Sequence, residues 1–171
     1  GRLERILAWC AVQGLRDADN PAAWRGHLDT LLPAPSRVTP VQHMPAVAIG
    51  DAPAFWRELQ TREGMAAKAL AFQILTAARP GEAVGARWDE IDMQARTWTV
   101  PGERMKAVKE HRVALSDAAL TLLEAVPRTG VFVFPGTGKL GHLVTASTQK
   151  LVKELAPGKT AHGWRSTFRD W

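Results

Sequence analysis

No tyrosine occurs anywhere in the 171 residues, so no phenolic nucleophile or acid is available from this chain. A single cysteine, Cys10, excludes an internal disulfide framework and a thiolate metal site, and it fits a reducing compartment. The five histidines, His27, His43, His111, His142 and His162, form no i, i+4 ligand pair, so a metal-dependent hydrolase is poorly supported and no metal ligand is assigned. No apolar run is long enough to span a bilayer, and no signal-peptide or lipidation pattern is present. The chain therefore reads as cytoplasmic and soluble, with no membrane partner, unless a longer parent carries such a signal. Internal repeats and low-complexity tracts are also missing.

What is present is the composition of a folded protein, 46% hydrophobic and 23% charged. The length suits one ordinary domain, or one domain with part of another. Net charge is +5, unevenly placed. Residues 1–92 carry ten basic and eleven acidic side chains, whereas residues 93–171 carry twelve and six. A positive field confined to the second half fits a polyanionic partner, nucleic acid or an acidic membrane surface, and equally fits a solvated basic face.

Leu3, Ile6, Leu7, Cys10 and Ala11 recur at helical spacing, with Gly14 placed to end the helix. That helix begins without a cap, as if cut from a longer unit. Asn20 and Pro21 predict an N-cap and first-turn proline for a second helix to about Leu32, presenting Trp24, Leu28 and Leu31 or Leu32. Pro33, Pro35, Pro40 and Pro45 mark residues 33–50 as a linker, with the domain boundary drawn between 44 and 45. Beyond it, Asp51 and Pro53 open a helix to about Arg62, and Gly64 separates it from a helix that is apolar nearly all round and therefore buried. Pro80 ends that helix and starts a short one to about Gly85, leaving Arg79 at the junction.

Three strand-like runs follow, Trp88 to Asp92, Thr97 to Val100 and Arg112 to Leu115. Trp98 and Val100 alternate with threonines, the pattern of a sheet with one wet face. The polar loop between the last two runs holds Arg104, Lys106 and Lys109. Ser116 caps a helix to about Val126, Val131 to Phe134 is a buried extended segment or part of a turn, and a glycine-rich loop leads to a basic helix from Thr145 to Leu155. Gly136-Thr137-Gly138-Lys139 is not a phosphate loop: Val133 stands in place of its first glycine and Leu140 in place of the magnesium-binding hydroxyl. The fold class is α+β, mainly helical, with a small three-stranded antiparallel sheet.

A last helix begins near His162. At about 100° per residue His162, Arg165 and Arg169 share one sector, with Trp164, Phe168 and Trp171 opposite. A helix N-terminus offers free N–H groups and a positive dipole end, so a phosphate beside His162 and Arg165 would gain charge-assisted hydrogen bonds, and His162 is suited to be a neutral proton acceptor. Taken alone, HxxR is better explained as the polar face of an amphipathic helix. Arg79 also fits a cation placed against a helix C-terminus, Glu82 a first-turn acid, and Lys106 a solvated loop lysine. The sequence stops at Trp171 with no helix-ending signal, as expected of a chain cut inside an element.

Thr76-Ala77-Ala78-Arg79-Pro80-Gly81-Glu82, Glu103-Arg104-Met105-Lys106, His111 to Ser116 and His162-Gly163-Trp164-Arg165, in this order, resemble successive parts of the catalytic domain of the tyrosine recombinases, the phage integrase family, and especially integrases of prophages and genomic islands. Asn20-Pro21-Ala22 with Trp24 through Pro33 resembles the end of that family's core-binding domain. The resemblance implies a core-binding remnant and linker over 1–44 and a catalytic domain over 45–171. It implies that Arg79 and Arg165 clamp a phosphate, that Lys106 is the hairpin lysine protonating the leaving 5′-oxygen, and that His162 helps take the tyrosine proton. Glu82 matches the family's supporting acid, and Arg104, Lys109 and Arg169 would contact DNA. Two guanidinium groups can stabilise charge developing on non-bridging oxygens.

The reaction so implied is site-specific DNA recombination or integration through a 3′-phosphotyrosyl link, without metal, ATP or other cofactor, on double-stranded DNA, by a homo-oligomer that is a tetrameric synapse in the family. The family's tyrosine, and its later His or Trp, have no counterpart here, so this chain alone is expected to be inactive. Ala114 stands where proline is frequent and Trp164 where Phe or Leu is usual, and neither change removes a functional group. Lys109 competes with Lys106 for the hairpin role, with the Arg-Met-Lys match favouring Lys106. The alternative is a non-catalytic DNA-binding regulator built on the same fold.

Overall fold

The computed structural model describes residues 1–17, 19–33, 44–105 and 108–171. It divides into two compact units, Gly1–Gln42 and His43–Trp171. In the first unit, α1 (Arg2–Val12) ends as the glycine predicts. Gly14 takes φ +68°, and the N–H groups of Gly14 and Leu15 close on the carbonyls of Ala11 and Cys10 at 3.0 and 2.9 Å. Leu7, Cys10 and Ala11 are half-buried, while Leu3 and Ile6 are exposed. The terminal ammonium, and after it the Trp24 N–H, hold the Glu4 carboxyl below the usual carboxylate range.

The helix expected from Asn20 to Leu32 does not form as a continuous element. Asn20 spends its side chain on a turn, accepting from the Ala22 N–H at 3.0 Å and donating to the Glu4 carbonyl at 2.7 Å. Arg25 is extended (ψ 129°) and Gly26 sits at φ +72°, so only a single helical turn, Asp29–Leu31, is regular. Asn20, Gly26 and the distant Glu4 together override the local proline signal. Most of the expected linker, residues 34–43, lies outside the described residues.

In the second unit α2 (Ala52–Gln60) follows a short turn, and its Asp51 makes no side-chain cap. α3 (Met65–Thr76) is the central helix. Its all-round apolar surface has a physical reason: it separates two cores. Ala69 and Phe72 join Val84, Trp98, Val100, Leu123, Val133 and Phe134 on one side, while Ala67, Leu70 and Ala71 join Val47, Phe55, Leu59, Val152 and Trp164 on the other. The Phe72 ring centroid lies 4.9 Å from that of Trp98 and 5.5 Å from that of Phe134, tilted pairs of the kind aromatic quadrupoles favour.

A one-turn helix, α4 (Pro80–Val84), precedes the sheet β1 (Ile91–Asp92), β2 (Thr97–Val100) and β3 (His111–Ala114). The strands are antiparallel in the order β1-β2-β3, with Trp98 opposite Ile91 on one side and Val113 on the other. The first strand is shorter than expected, because the Glu90 carboxylate reaches back to the Arg87 N–H at 3.2 Å and folds Trp88–Glu90 into a helical turn. Ser116 caps α5 (Asp117–Glu124) by accepting from the Ala119 N–H. The stretch Val131 to Phe134 forms no regular strand: Phe132 makes an isolated bridge to Arg87, Val133 and Phe134 are buried, and the Val133 N–H bonds the Ala86 carbonyl at 2.8 Å. α6 (Thr145–Leu155) and α7 (Trp164–Asp170) complete the unit. Trp164 packs on Phe55 at 4.8 Å, but Phe168 and Trp171, expected on the same packed face, are exposed. No helix among the described residues is long and apolar enough to cross a membrane.

Candidate functional site

The junction of α3 and α4 is built around a backbone conformation that side-chain residues seldom adopt. Ala77 is left-handed (φ 49°, ψ 26°), at a cost of about 1–2 kcal/mol for a residue with a Cβ. The turn delivers Arg79 to the N-cap of α4. Glu82, buried in that helix, accepts from the Arg79 N–H through Oε2 at 3.1 Å and from Arg79 Nη1 through Oε1 at 2.7 Å. The Arg79 side chain stays 44% exposed against 8% for Glu82. One edge of the guanidinium is therefore held while the rest faces solvent.

Arg165 comes to the same junction from the far end of the chain. Its Nη1 donates to the carbonyl of Ala77, two residues before Arg79. His162 is exposed and lines a shallow hollow of about 330 Å³ with Pro80, Thr145, Ala146, Gln149 and Ala161. Arg165 thus touches the α3–α4 junction that carries Arg79, and His162 shares its hollow with Pro80 of the same junction. Lys106 lies outside the described residues. Lys109 is exposed, and Arg169 is exposed and paired with Asp170 at 2.9 Å.

Arg104, expected to contact DNA, is turned inward. Its Nη1 pairs with the buried carboxylate of Glu90 and its Nη2 donates to the Glu82 carbonyl at 3.1 Å. Nearby, Arg87 hydrogen-bonds Asp89 through Nε and Nη2, which holds the Asp89 carboxyl below the usual carboxylate range and raises the guanidinium further. Among the described residues no group of His, Cys, Asp and Glu is disposed to hold a metal ion.

Sequence reasoning missed the residues that place the last helix. Gln73 and Gln149 hold Ala161, the residue before His162, by its two backbone groups: Gln73 Nε2 donates to the Ala161 carbonyl at 2.6 Å, and Gln149 Oε1 accepts from the Ala161 N–H at 2.9 Å. Thr167 Oγ1 donates to the Val47 carbonyl at 2.6 Å, and Thr160 N–H to the Pro45 carbonyl at 3.0 Å. Gly163 lies so close to this segment that a Cβ would meet the Pro45 oxygen at 2.3 Å. Gln73, a polar residue in the mostly apolar α3, was an available signal.

A helical domain with a small antiparallel sheet, carrying two arginines and a histidine around one helix junction, has the architecture of a tyrosine recombinase catalytic domain. Residues 52–169 match the phage integrase family, and the chain belongs to that family, as a tyrosine recombinase of the prophage integrase type. Among its relatives is prophage integrase IntA of Escherichia coli (strain K12), 36% identical over 133 residues, which is 73% of this chain and 32% of that protein. The integrase of Enterobacteria phage P4 is 31% identical over 152 residues, 79% of this chain and 33% of that protein. The chain spans about a third of the length of these curated relatives. Among solved structures, the integrase from mycobacterium phage Brujita superposes with a TM-score of 0.59 at 25% identity, covering 97% of this chain and 53% of that one. A lambda integrase (75–356) dimer bound to a COC′ core site gives a TM-score of 0.65 at 12% identity, covering 96% and 61%, a likeness of fold alone.

Proposed function

We propose that this chain supplies the phosphate-binding part of a site-specific DNA recombinase acting on double-stranded DNA. The observation that supports the reading is the hydrogen bond from the Arg165 guanidinium to the carbonyl of Ala77, two residues before Arg79 in the chain. Two guanidinium groups at one junction can hold the two non-bridging oxygens of a single phosphate and stabilise charge as it builds on them. A tyrosine oxygen attacks the phosphorus, the bond to the 5′-oxygen breaks, and a 3′-phosphotyrosyl link forms; rejoining reverses these events.

His162, exposed beside Pro80, is assigned the role of accepting the tyrosine proton, and Lys106 that of donating a proton to the departing 5′-oxygen. Lys109 and Arg169 add backbone contacts. The tyrosine comes from outside these 171 residues, so this chain alone binds DNA without forming a covalent adduct. Residues 1–44 are read as the end of a core-binding domain and 45–171 as the catalytic domain, working as a homo-oligomer on DNA in the cytoplasm without a cofactor. The similarity to prophage integrases and the fold shared with a DNA-bound lambda integrase dimer support this reading.

The second reading is a DNA-binding regulator that uses the fold without the chemistry. A single experiment separates them. The product of the complete reading frame is incubated with a nicked suicide substrate as wild type, Arg79→Ala and Arg165→Ala. Covalent trapping by the wild type and its loss in both variants is expected. Binding without trapping in all three supports the regulator, and equal trapping in all three removes the arginines from the mechanism.

A further inference from the structure

Arg104 is the feature that the proposed reaction does not yet use. It is a cation in a polar loop, yet it is turned inward. Its side chain is 25% exposed and pairs with Glu90, whose side chain is 4% exposed. Glu90 also accepts from Trp98 Nε1 at 3.0 Å and from the Arg87 N–H at 3.2 Å, both through Oε2, so this carboxylate is anchored to β2 and to the turn before β1. The other arm of Arg104 donates to the carbonyl of Glu82. A Cβ on Gly85 would come within 2.8 Å of Arg104 Nη2, so the guanidinium lies directly against the chain where α4 ends.

Helix α4 needs such a partner. It has five residues, a length at which helix formation is unfavourable in isolation. Its N-terminal end is held by the reciprocal bonds of Arg79 and Glu82. At its C-terminal end the Glu82 carbonyl finds in Arg104 both a donor and a positive charge of the sign the helix dipole favours there. Glu82 is therefore gripped twice: its carboxylate orients Arg79, and its carbonyl is fixed to the sheet through Arg104 and Glu90.

We infer that Arg104 is a positioning residue, which locks α4 to the sheet and so sets the guanidinium of Arg79 for phosphate binding, rather than touching DNA itself. The inference rests on the phosphate clamp proposed above. Arg104→Met alone leaves Glu90 buried and uncompensated, so the test uses Arg104→Lys and the double substitution Arg104→Met with Glu90→Gln, each checked for cooperative thermal unfolding.

The 171-residue chain is titrated with inorganic phosphate while the ¹⁵N-labelled guanidinium Nε–H signals of Arg79 and Arg165 are followed. The wild type is expected to show saturable shifts at both arginines. The folded double variant is expected to bind phosphate about three- to tenfold more weakly, the size of coupling within one hydrogen-bond network, with the Arg79 signal displaced even without phosphate and partial recovery in Arg104→Lys. An unchanged phosphate affinity and an unmoved Arg79 signal in a folded variant would overturn the positioning role while leaving the clamp intact. No phosphate-dependent shift in the wild type overturns the clamp, and the inference with it.

Discussion

Arg165 donates through Nη1 to the carbonyl of Ala77, 88 residues away in sequence, and Ala77 is the left-handed residue that turns the chain into Arg79. The bond fixes one arginine to the backbone turn that leads into the other.

If the proposed clamp holds the phosphate, loss of either arginine removes charge stabilisation there. In the product of the complete reading frame, Arg79→Ala and Arg165→Ala are each expected to slow strand cleavage about 10²- to 10³-fold while weakening equilibrium DNA binding far less. Single-turnover rates on a nicked duplex, set beside binding isotherms, measure the split.

Gly163 has no room for a side chain, since a Cβ would lie 2.3 Å from the Pro45 oxygen and 2.8 Å from the Ala46 Cα. Gly163→Ala is expected to destabilise the domain by about 1–3 kcal/mol. Gly81→Ala serves as the comparison, because a Cβ there meets nothing within 4 Å. Urea midpoints of the two variants that coincide would show that the close approach at Gly163 is relaxed at little cost.

Gln73 is buried, and its amide spans 88 residues to the Ala161 carbonyl. Gln73→Leu keeps the volume but leaves that carbonyl without its donor, a loss of about 1–3 kcal/mol. A displaced His162 ring signal in the folded variant is the companion expectation, read by NMR.

Lys109 and Arg169 are exposed, so a phosphate contact by either carries a salt signature. Lys109→Ala and Arg169→Ala are each expected to reduce the slope of log affinity against log salt by about one unit, whereas Arg104→Lys leaves it unchanged. Binding to a fixed duplex across a salt series distinguishes these outcomes.

Asp89 has its carboxyl lowered by the adjacent Arg87 guanidinium. A lowered folded value means that the pair stabilises the protein above the ordinary carboxylate range and that this contribution fades as pH falls through the folded value. The pair is exposed, so the effect is small. Asp89→Asn is expected to differ slightly from wild type near neutral pH and to converge with it in acid, as followed by unfolding at several pH values.

The parts legible in the chain were those with local causes. Alternation of Trp98 and Val100 marked β2, Ser116 marked the start of α5, Gly14 the end of α1, and Pro80 the break that leaves Arg79 at a junction. The expected helix from Asn20 was not legible, because Asn20 bonds to Glu4 and Gly26 turns left-handed, and neither preference outweighs the proline signal in a local reading. Arg104 read as a DNA contact for the same reason: its partners, the Glu90 carboxylate and the Glu82 carbonyl, lie 14 and 22 residues back.

By itself the sequence determined the helical class with its small sheet, the order of Arg79, Lys106, His162 and Arg165, and the absence of a phenol, since these follow from periodicity, capping and residue identity. Tertiary structure alone decided that Arg165 closes on Ala77, that Gln73 and Gln149 hold the backbone groups of Ala161 before His162, and that Arg104 turns inward. Each of those bonds joins groups far apart in sequence, and a guanidinium chooses between water and a buried acceptor only when packing has brought that acceptor within reach.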